Sequence, residues 1–124
     1  MKRAWPLIGL LLAFDAMGMG FIGGHELLQH CRAVEADRDP GANIESIIQV
    51  DRSWLICVWY AAGVTDAMEA DSVDGLRACT PTNTTGTQLG LVTLDFLREH
   101  PELLHYSGHS LVAIAVSNAF PCSL

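Results

Sequence analysis

Histidine, glutamate and cysteine, residue types that bind zinc, lie close together in the stretch GGHELLQHC, residues 23–31. A zinc protease helix needs two histidines four residues apart, so that both lie on one face with a glutamate between them. His25 and His30 are instead five residues apart, which places them about 140° apart around a helix. Cys31 points in a third direction, and the stretch therefore does not predict a metal site.

A second pair, His105 and His109, has the four-residue spacing of a shared face in a predicted helix. His100 precedes the pair, close to Glu99 and Glu102, so that two histidines and a carboxylate could hold Zn²⁺ in a metal-dependent enzyme. Solvated or capping histidines are the commoner explanation of such a group. We therefore predict no bound metal and no other cofactor.

Other catalytic patterns are missing from the sequence. It has no nucleophile elbow, no glycine-rich phosphate loop and no paired carboxylates flanked by aromatic residues. The stretch GMGFIGG, residues 18–24, has glycines spaced somewhat like a dinucleotide fingerprint, but no predicted strand precedes it. The sequence therefore predicts a protein that is not an enzyme.

Residues 1–18 have the pattern of a secretory signal peptide. Two basic residues precede an apolar run over residues 7–14, as in the n-region and h-region of such peptides. Asp15 interrupts the run, which disfavours a full membrane span. Small residues allow cleavage after Gly18 or Gly20, and a buried N-terminal helix is the alternative interpretation.

The remaining chain, residues 19–124, is long enough for one domain and is strongly acidic. Without Lys2, Arg3 and Asp15, five of the seven basic and thirteen of the fourteen acidic residues remain, a net charge of −8. Such a domain repels nucleic acid and anionic membranes, so neither is an expected partner. A basic protein surface would be attracted to it.

The spacing of apolar residues predicts an all-α fold, a small bundle of four or more helices. The predicted helices cover about 21–33, 43–69, 86–99 and 101–119, with loops at 35–43 and 69–86. Thr85 and Gln88 fit a capping box at the start of the third helix. Pro101 and Glu102 suit the start of the fourth helix.

Three residues of the second predicted helix carry further expectations. Gly63 costs about 1 kcal/mol relative to alanine in a helix, so it predicts a close crossing with another helix. Trp59 and Tyr60 are expected to pack in or beside the core, since aromatic residues at helical spacing pack more often than they bind ligands.

The four cysteines predict two disulfides in an oxidising compartment, because their number is even, they follow an export signal and no pair has CxxC spacing. If the third and fourth helices form an antiparallel hairpin, Cys79 lies near Cys122. By the same argument Cys31 lies near Cys57. The sequence thus favours Cys31–Cys57 and Cys79–Cys122 among three possible pairings, each contributing roughly 3–4 kcal/mol.

The loop at 69–86 concentrates three carboxylates, Glu69, Asp71 and Asp74, among small residues. A solvated acidic loop and a partner-binding loop explain this composition equally well.

Five motifs, in this order, resemble those of the periplasmic immunity proteins that neutralise type VI secretion amidase effectors, the Tai family. The motifs are GGHELLQHC, CVWYAAGVTDA, ACTPTNTTGTQL, FLREHPELLH and AFPC, and they span nearly all of the mature chain. The residues that carry the resemblance are Cys57, Tyr60, Gly63, Asp66, Cys79, Pro81, Thr85, Gln88, Leu89, His100, Pro101, Glu102, Phe120, Pro121 and Cys122.

The resemblance implies an all-helical periplasmic protein with disulfides, often a dimer, that binds an amidase toxin and blocks its active-site groove without chemistry of its own. The family's motif consists of folding residues, and its toxin contacts differ between members. Assigning toxin contact to Glu69, Asp71 and Asp74 is therefore a hypothesis from local charge. The alternative function is a small periplasmic stress or chaperone-like protein with a helical core cross-linked by disulfides, which would need exposed apolar surface.

Overall fold

The computed structural model describes residues 22–35, 41 and 43–123, and the fold is all-α as predicted. The α-helices are α1 (Gly24–Cys31), α2 (Ile44–Ala70), α3 (Gly86–Glu99) and α4 (Gly108–Ala119), with short 3-10 helices at Arg32–Glu35 and Pro101–Leu103. Within these described segments the β-type pairing consists of two isolated bridges. The predicted signal peptide and both predicted cleavage positions lie outside the described residues.

Helix α2 is the longest of the described helices, and it packs against each of the other three. Its inner face and the apolar faces of α1, α3 and α4 enclose one core. The largest fully buried side chains include Leu27, Met68, Leu94, Leu97, Leu111, Val112 and Val116. Burial of each such side chain stabilises the fold by about 1.5–3 kcal/mol relative to exposure, so this core accounts for most of the driving force.

Two disulfides cross-link the helices, Cys31–Cys57 and Cys79–Cys122, which are the pairs that the sequence favours. Cys31 and Cys57 are fully buried and join the end of α1 to α2, whereas Cys79 and Cys122 are exposed. Beside the second disulfide, the backbone N–H of Cys79 donates to the carbonyl of Phe120 at 2.9 Å. The segment before α3 is therefore held against the end of the chain.

The predicted start of α3 is confirmed in atomic detail. The backbone N–H of Gln88 donates to the Thr85 hydroxyl oxygen at 3.2 Å. The backbone N–H of Thr85 donates to the side-chain oxygen of Gln88 at 2.8 Å. These reciprocal bonds satisfy two backbone N–H groups that have no partner within the helix at its start. At the other end, the His100 ring stacks on Phe96 with centroids 4.2 Å apart.

The fourth helix begins at Gly108, so the predicted start at Pro101 is wrong. Pro101–Leu103 forms one 3-10 turn, and the chain then bends before α4. The bend follows from backbone bonds to the start of α1: the Gly24 amide donates to Tyr106, and the Gly108 amide donates to Ile22. These groups bond to a distant segment instead of continuing a helical ladder.

Three expectations for the second and first helices also need correction. Gly63 is exposed, and a Cβ placed there would meet nothing within 4 Å, so it does not mark a crossing inside the fold. The close approach of α2 to another helix occurs at Gly90 of α3, where a Cβ would lie 2.8 Å from the Trp54 ring. Trp59 is 71% exposed and does not pack, and α1 begins at Gly24 and not near residue 21.

None of the helices in residues 22–35, 41 and 43–123 combines the length and the apolar character that crossing a lipid bilayer requires.

Candidate functional site

The segment after α2 contains a tight turn at Asp74 and Gly75. Val73 and Leu76 exchange two backbone hydrogen bonds, of 3.0 and 2.9 Å, and form an antiparallel bridge. The two residues between them have φ angles of 53° and 76°. Positive φ at both central residues fits a type I′ turn, for which Asp-Gly is a preferred pair. The loop is therefore a defined hairpin turn.

This turn was encoded in the sequence by the Asp-Gly pair between two apolar residues, a signal that the emphasis on charge overlooked. Val73 and Leu76 are half-buried and pack against the core. The turn therefore has an apolar base and an exposed polar tip.

Asp74 is bonded to the first turn of α4. Its carboxylate accepts a hydrogen bond from the Ser110 hydroxyl, which lies 2.8 Å from the Ser107 hydroxyl, and it is 3.7 Å from the His109 ring. The partial positive charge at a helix N-terminus favours a carboxylate in this place. Asp74 therefore fixes the turn to the bundle, in addition to any contact with a partner.

The other two carboxylates of the predicted binding loop are exposed. Glu69 accepts a hydrogen bond from the Thr80 hydroxyl at 3.0 Å, and Asp71 accepts one from the Ser72 amide at 2.7 Å. Glu69 is thus tied across the loop, whereas Asp71 bonds only to its neighbouring amide in the described structure. Of the three predicted contact residues, Asp71 has the side chain most free to meet a partner.

A cleft of about 330 Å³ opens beside this segment, between the end of α2 and the start of α3. Its lining residues are Thr65, Asp66, Glu69, Thr80, Pro81, Thr82, Thr84 and Leu89. Two of these residues are carboxylates, several carry hydroxyls and none is basic. The cleft is therefore suited to a cationic or hydrogen-bond-donating group of a partner.

Tyr60 connects α2 to the start of α4. Burial raises the pKa of its hydroxyl above the usual value, and a hydrogen bond with the His109 backbone partly offsets this rise. A Cβ at Gly108 would lie 3.1 Å from the Tyr60 oxygen, so the glycine permits the close approach. Ser107, the N-cap residue, makes no side-chain capping bond, and the Tyr60 ring packs closely against this helix start.

The remaining motif residues lie mostly at helix ends and in connections. Asp66 and Pro81 line the cleft, Pro101 begins the second 3-10 helix, and Phe120 is half-buried. Glu102 and Pro121 are exposed. Most of these positions fit folding roles, and among them the cleft residues are placed to meet another molecule.

Asp74, His109 and Ser110 do not have the arrangement of a catalytic triad. Asp74, His109 and Ser110 are neighbours, but the serine hydroxyl donates to the aspartate and not to the histidine, so the hydrogen bond that activates a serine nucleophile is missing. All four cysteines are in disulfides. In the part of the chain that the structure describes, no three His, Cys, Asp or Glu side chains converge as metal ligands would.

The zinc hypothesis for His105 and His109 rested on a shared helix face, and this premise is wrong. His105 lies in the turn before α4, whereas His109 is the second residue of that helix. The ring of His105 instead lies against Tyr106, with centroids 4.2 Å apart.

The sequence analysis also missed an exposed apolar face on α2. Its large side chains are Ile44, Ile48, Leu55 and Trp59. Their spacings of four and seven residues are helical, so these side chains form a second apolar stripe, on the side of the helix opposite the buried one.

Comparison with models of known families identifies a family for this chain. The model described as Rap1a immunity proteins matches residues 23–122, about four fifths of the chain. No curated protein and no solved structure matches the chain.

Proposed function

The chain belongs to the Rap1a immunity proteins, a type VI secretion immunity family, and we propose that it neutralises a secreted peptidoglycan amidase by covering the amidase's active-site groove. The family match supports a cognate toxin as the partner. The resemblance of the five motifs to the Tai proteins supports an amidase as that toxin. Inhibition is steric, so the immunity protein contributes shape and charge and no reaction step.

The observation that carries this proposal is the acidic hairpin turn after α2. Its backbone is fixed by the bonds between Val73 and Leu76, and its tip is fixed by the bond from Ser110 to Asp74. A segment that is already ordered loses little conformational freedom on binding, whereas each side chain immobilised on binding costs about 0.5–1.5 kcal/mol. The turn is therefore suited to fill a groove.

Charge supports the same surface. Glu69 and Asp71 add negative charge beside the turn, and the lining of the cleft contains no compensating base. An acidic surface attracts a basic partner and accelerates encounter at low ionic strength. The amidase surface that meets this side of the protein is therefore basic.

We further propose that residues 1–18 direct export to the periplasm, and that the working form is a homodimer. Peptidoglycan lies in that compartment, and its oxidising conditions allow the two disulfides to form and persist.

The test is binding to the amidase candidate encoded next to this chain. The mature protein, from about residue 19, is mixed with the amidase, and size-exclusion chromatography and a peptidoglycan-cleavage assay are run on the mixture. The proposal expects a stable complex without amidase activity. Normal cleavage in the presence of excess mature protein would refute it.

A charge-reversal pair localises the contact. Asp71→Lys should weaken the complex by roughly tenfold or more, because a like charge then faces the basic partner. Glu45→Lys is the matched control, since Glu45 is also exposed but lies at the start of α2, about 40 Å along that helix from the end that precedes Asp71. Equal weakening by both variants would show that only net charge matters and that the turn is not the contact.

One observation favours the second candidate, a chaperone-like protein: the exposed apolar face of α2. Such a protein would suppress aggregation of unrelated unfolded proteins, most strongly near pH 3. Suppression by the wild type, lost in Trp59→Ala, would favour this function over immunity.

A further inference from the structure

The outer face of α2 is apolar at its centre and has no covering element in the described structure. Trp59 is 71% exposed, and Leu55 and Ile48 are each 51% exposed. One turn after the tryptophan, Gly63 is exposed with open space where a side chain would be. A glycine in mid-helix destabilises the helix, and no close contact with the described residues accounts for it.

The residues on this face are arranged symmetrically about Trp59. Before it, large apolar residues lie at −4 and −11, and after it, small residues lie at +4 and +11. A cation lies at −7 and an anion at +7. The residues are Ile48, Arg52 and Leu55 before the tryptophan, and Gly63, Asp66 and Ala70 after it. All six lie within about 40° of the Trp59 direction on a helix of 3.6 residues per turn.

We propose that this face binds the same face of a second copy of the chain, with the two α2 helices antiparallel and the two-fold axis at Trp59. In this register Leu55 lies over the partner's Gly63, and Ile48 lies over the partner's Ala70. Arg52 pairs with the partner's Asp66. The two tryptophans meet at the axis and bury each other's rings.

The pattern specifies a second copy of the chain as the partner of this face. Two-fold symmetry requires one surface to be complementary to itself, so each position opposes the position at the same distance beyond the axis. Here size and charge are complementary at every such pair, whereas an unrelated partner would impose no symmetry on this helix. The exposed glycine then has a function, because it lets the partner's leucine approach the backbone.

An ion pair between Arg52 and Asp66 requires two copies of the chain. Arg52 and Asp66 are fourteen residues apart, about 21 Å along one helix, and cannot reach each other within a chain. Neither forms an ion pair with another residue of the described segments. In the antiparallel dimer two such pairs form, one on each side of the axis.

This inference names the surface of the homodimer in the proposed function, but it does not depend on the identity of the toxin. A monomeric chain that inhibits the amidase would overturn the inference and the proposed homodimer, and would leave the immunity function standing. A dimer with this register that binds no amidase would support the inference and refute the proposed target.

Charge complementation is the sharpest test, with sedimentation velocity of the mature, oxidised protein as the measurement. Arg52→Glu and Asp66→Arg each place like charges at both ends of the interface, and each should weaken dimerisation by roughly tenfold or more. An equimolar mixture of the two variants should form heterodimers as readily as the wild type forms dimers, since opposite charges then meet at both ends. A mixture that remains as weakly associated as each variant alone would overturn the proposed register.

The glycine gives an independent test that separates association from folding. Gly63→Leu fills open space in one chain, so its monomer should melt no lower than the wild type, while dimerisation falls by at least about tenfold because the partner's leucine loses its place. Tyr106→Ala, which removes an exposed aromatic ring outside the face, is the matched control and should leave the dimer intact. A Gly63→Leu protein that dimerises normally would refute the inference. The inference would also be refuted if the wild type is monomeric and Trp59→Ala abolishes amidase binding, because this face of α2 would then bind the toxin and not a second copy.

Discussion

Replacing Gly24 by alanine tests whether the start of α1 is packed as tightly as the structure shows. A Cβ at this position would lie 2.5 Å from the Leu111 Cδ1 atom, 2.6 Å from the Leu104 carbonyl oxygen and 2.9 Å from the Leu104 Cα atom. Two of these three atoms belong to the backbone, so a change of rotamer cannot relieve the overlap. Either α1 or the turn before α4 must move.

The expected cost follows from comparable changes in packed cores. Inserting a methyl group where no space exists costs about 1–3 kcal/mol. Alanine recovers up to about 1 kcal/mol relative to glycine inside a helix, but less at Gly24, which is the first helical residue. We expect a net loss of about 1–3 kcal/mol in the free energy of unfolding. This is a large share of the roughly 5–15 kcal/mol typical of a domain.

The control is the same substitution at Gly63, where a Cβ meets nothing within 4 Å. Gly63→Ala should stabilise the monomer by about 0.5–1 kcal/mol, because alanine has less backbone freedom to lose. Urea unfolding followed by circular dichroism, with both disulfides oxidised and at concentrations where each protein is monomeric, measures both changes. If Gly24→Ala unfolds at the same urea concentration as the wild type, the close approach of α1 to the 104–107 turn is not a packed contact.

Three further predictions concern the Tyr60 bond, the exposed disulfide and the turn. Tyr60→Phe should lower the free energy of unfolding by about 0.5–1.5 kcal/mol, because the interaction of the hydroxyl with the His109 backbone is lost. Burial raises the pKa of Tyr60 in the folded protein, so the stability that its hydroxyl contributes is complete below about pH 10 and declines above it. Urea unfolding at pH 8 and pH 10.5 should therefore show a smaller difference between the two proteins at the higher pH. Brief treatment with dithiothreitol followed by iodoacetamide should label Cys79 and Cys122 first in mass spectra, because the other disulfide is fully buried. Asp74→Ala should speed amide exchange in the turn by roughly tenfold while Asp71→Ala does not, and equal exchange in the two variants would show that the bond from Asp74 to α4 does not hold the turn.

The parts of the fold that sequence predicts well depend on residues close together in the chain. The capping box at Thr85 and Gln88 is such a case, since both bonds form within one helical turn. The Cys79–Cys122 pair follows from an antiparallel arrangement of α3 and α4, and the seven-residue error in the start of α4 does not change which helix ends meet.

The start of α4 could not be predicted in the same way, because distant residues determine it. The residue before a proline and the proline itself suggested a helix start at Pro101, and one 3-10 turn does form there. The helix does not continue, because the backbone of Tyr106 and Gly108 bonds to the residues around Gly24. No periodicity in residues 101–119 carries information about that contact.

The hairpin turn shows a different limit, since its signal was local and available. Asp74 followed by Gly75 between two apolar residues is a strong indication of a two-residue turn. Interpreted as charge alone, the segment became an acidic loop, and the interpretation missed that Asp74 serves the fold. In a candidate binding loop, the backbone requirements of each residue have to be considered before its charge is assigned to a partner.

Helix α2 shows why sequence locates an interface without identifying what covers it. Cys57, Ala61 and Met68 form a buried stripe, and Trp59 lies on the opposite side of the helix. Three other helices can cover only one side of α2, so the bundle leaves one apolar stripe exposed. Gly63 has the same helix-breaking cost whether the close contact is with this chain or with a second copy. The structure shows open space at Gly63 among the described residues, which argues against the first possibility, and the symmetry of residues about Trp59 favours the second.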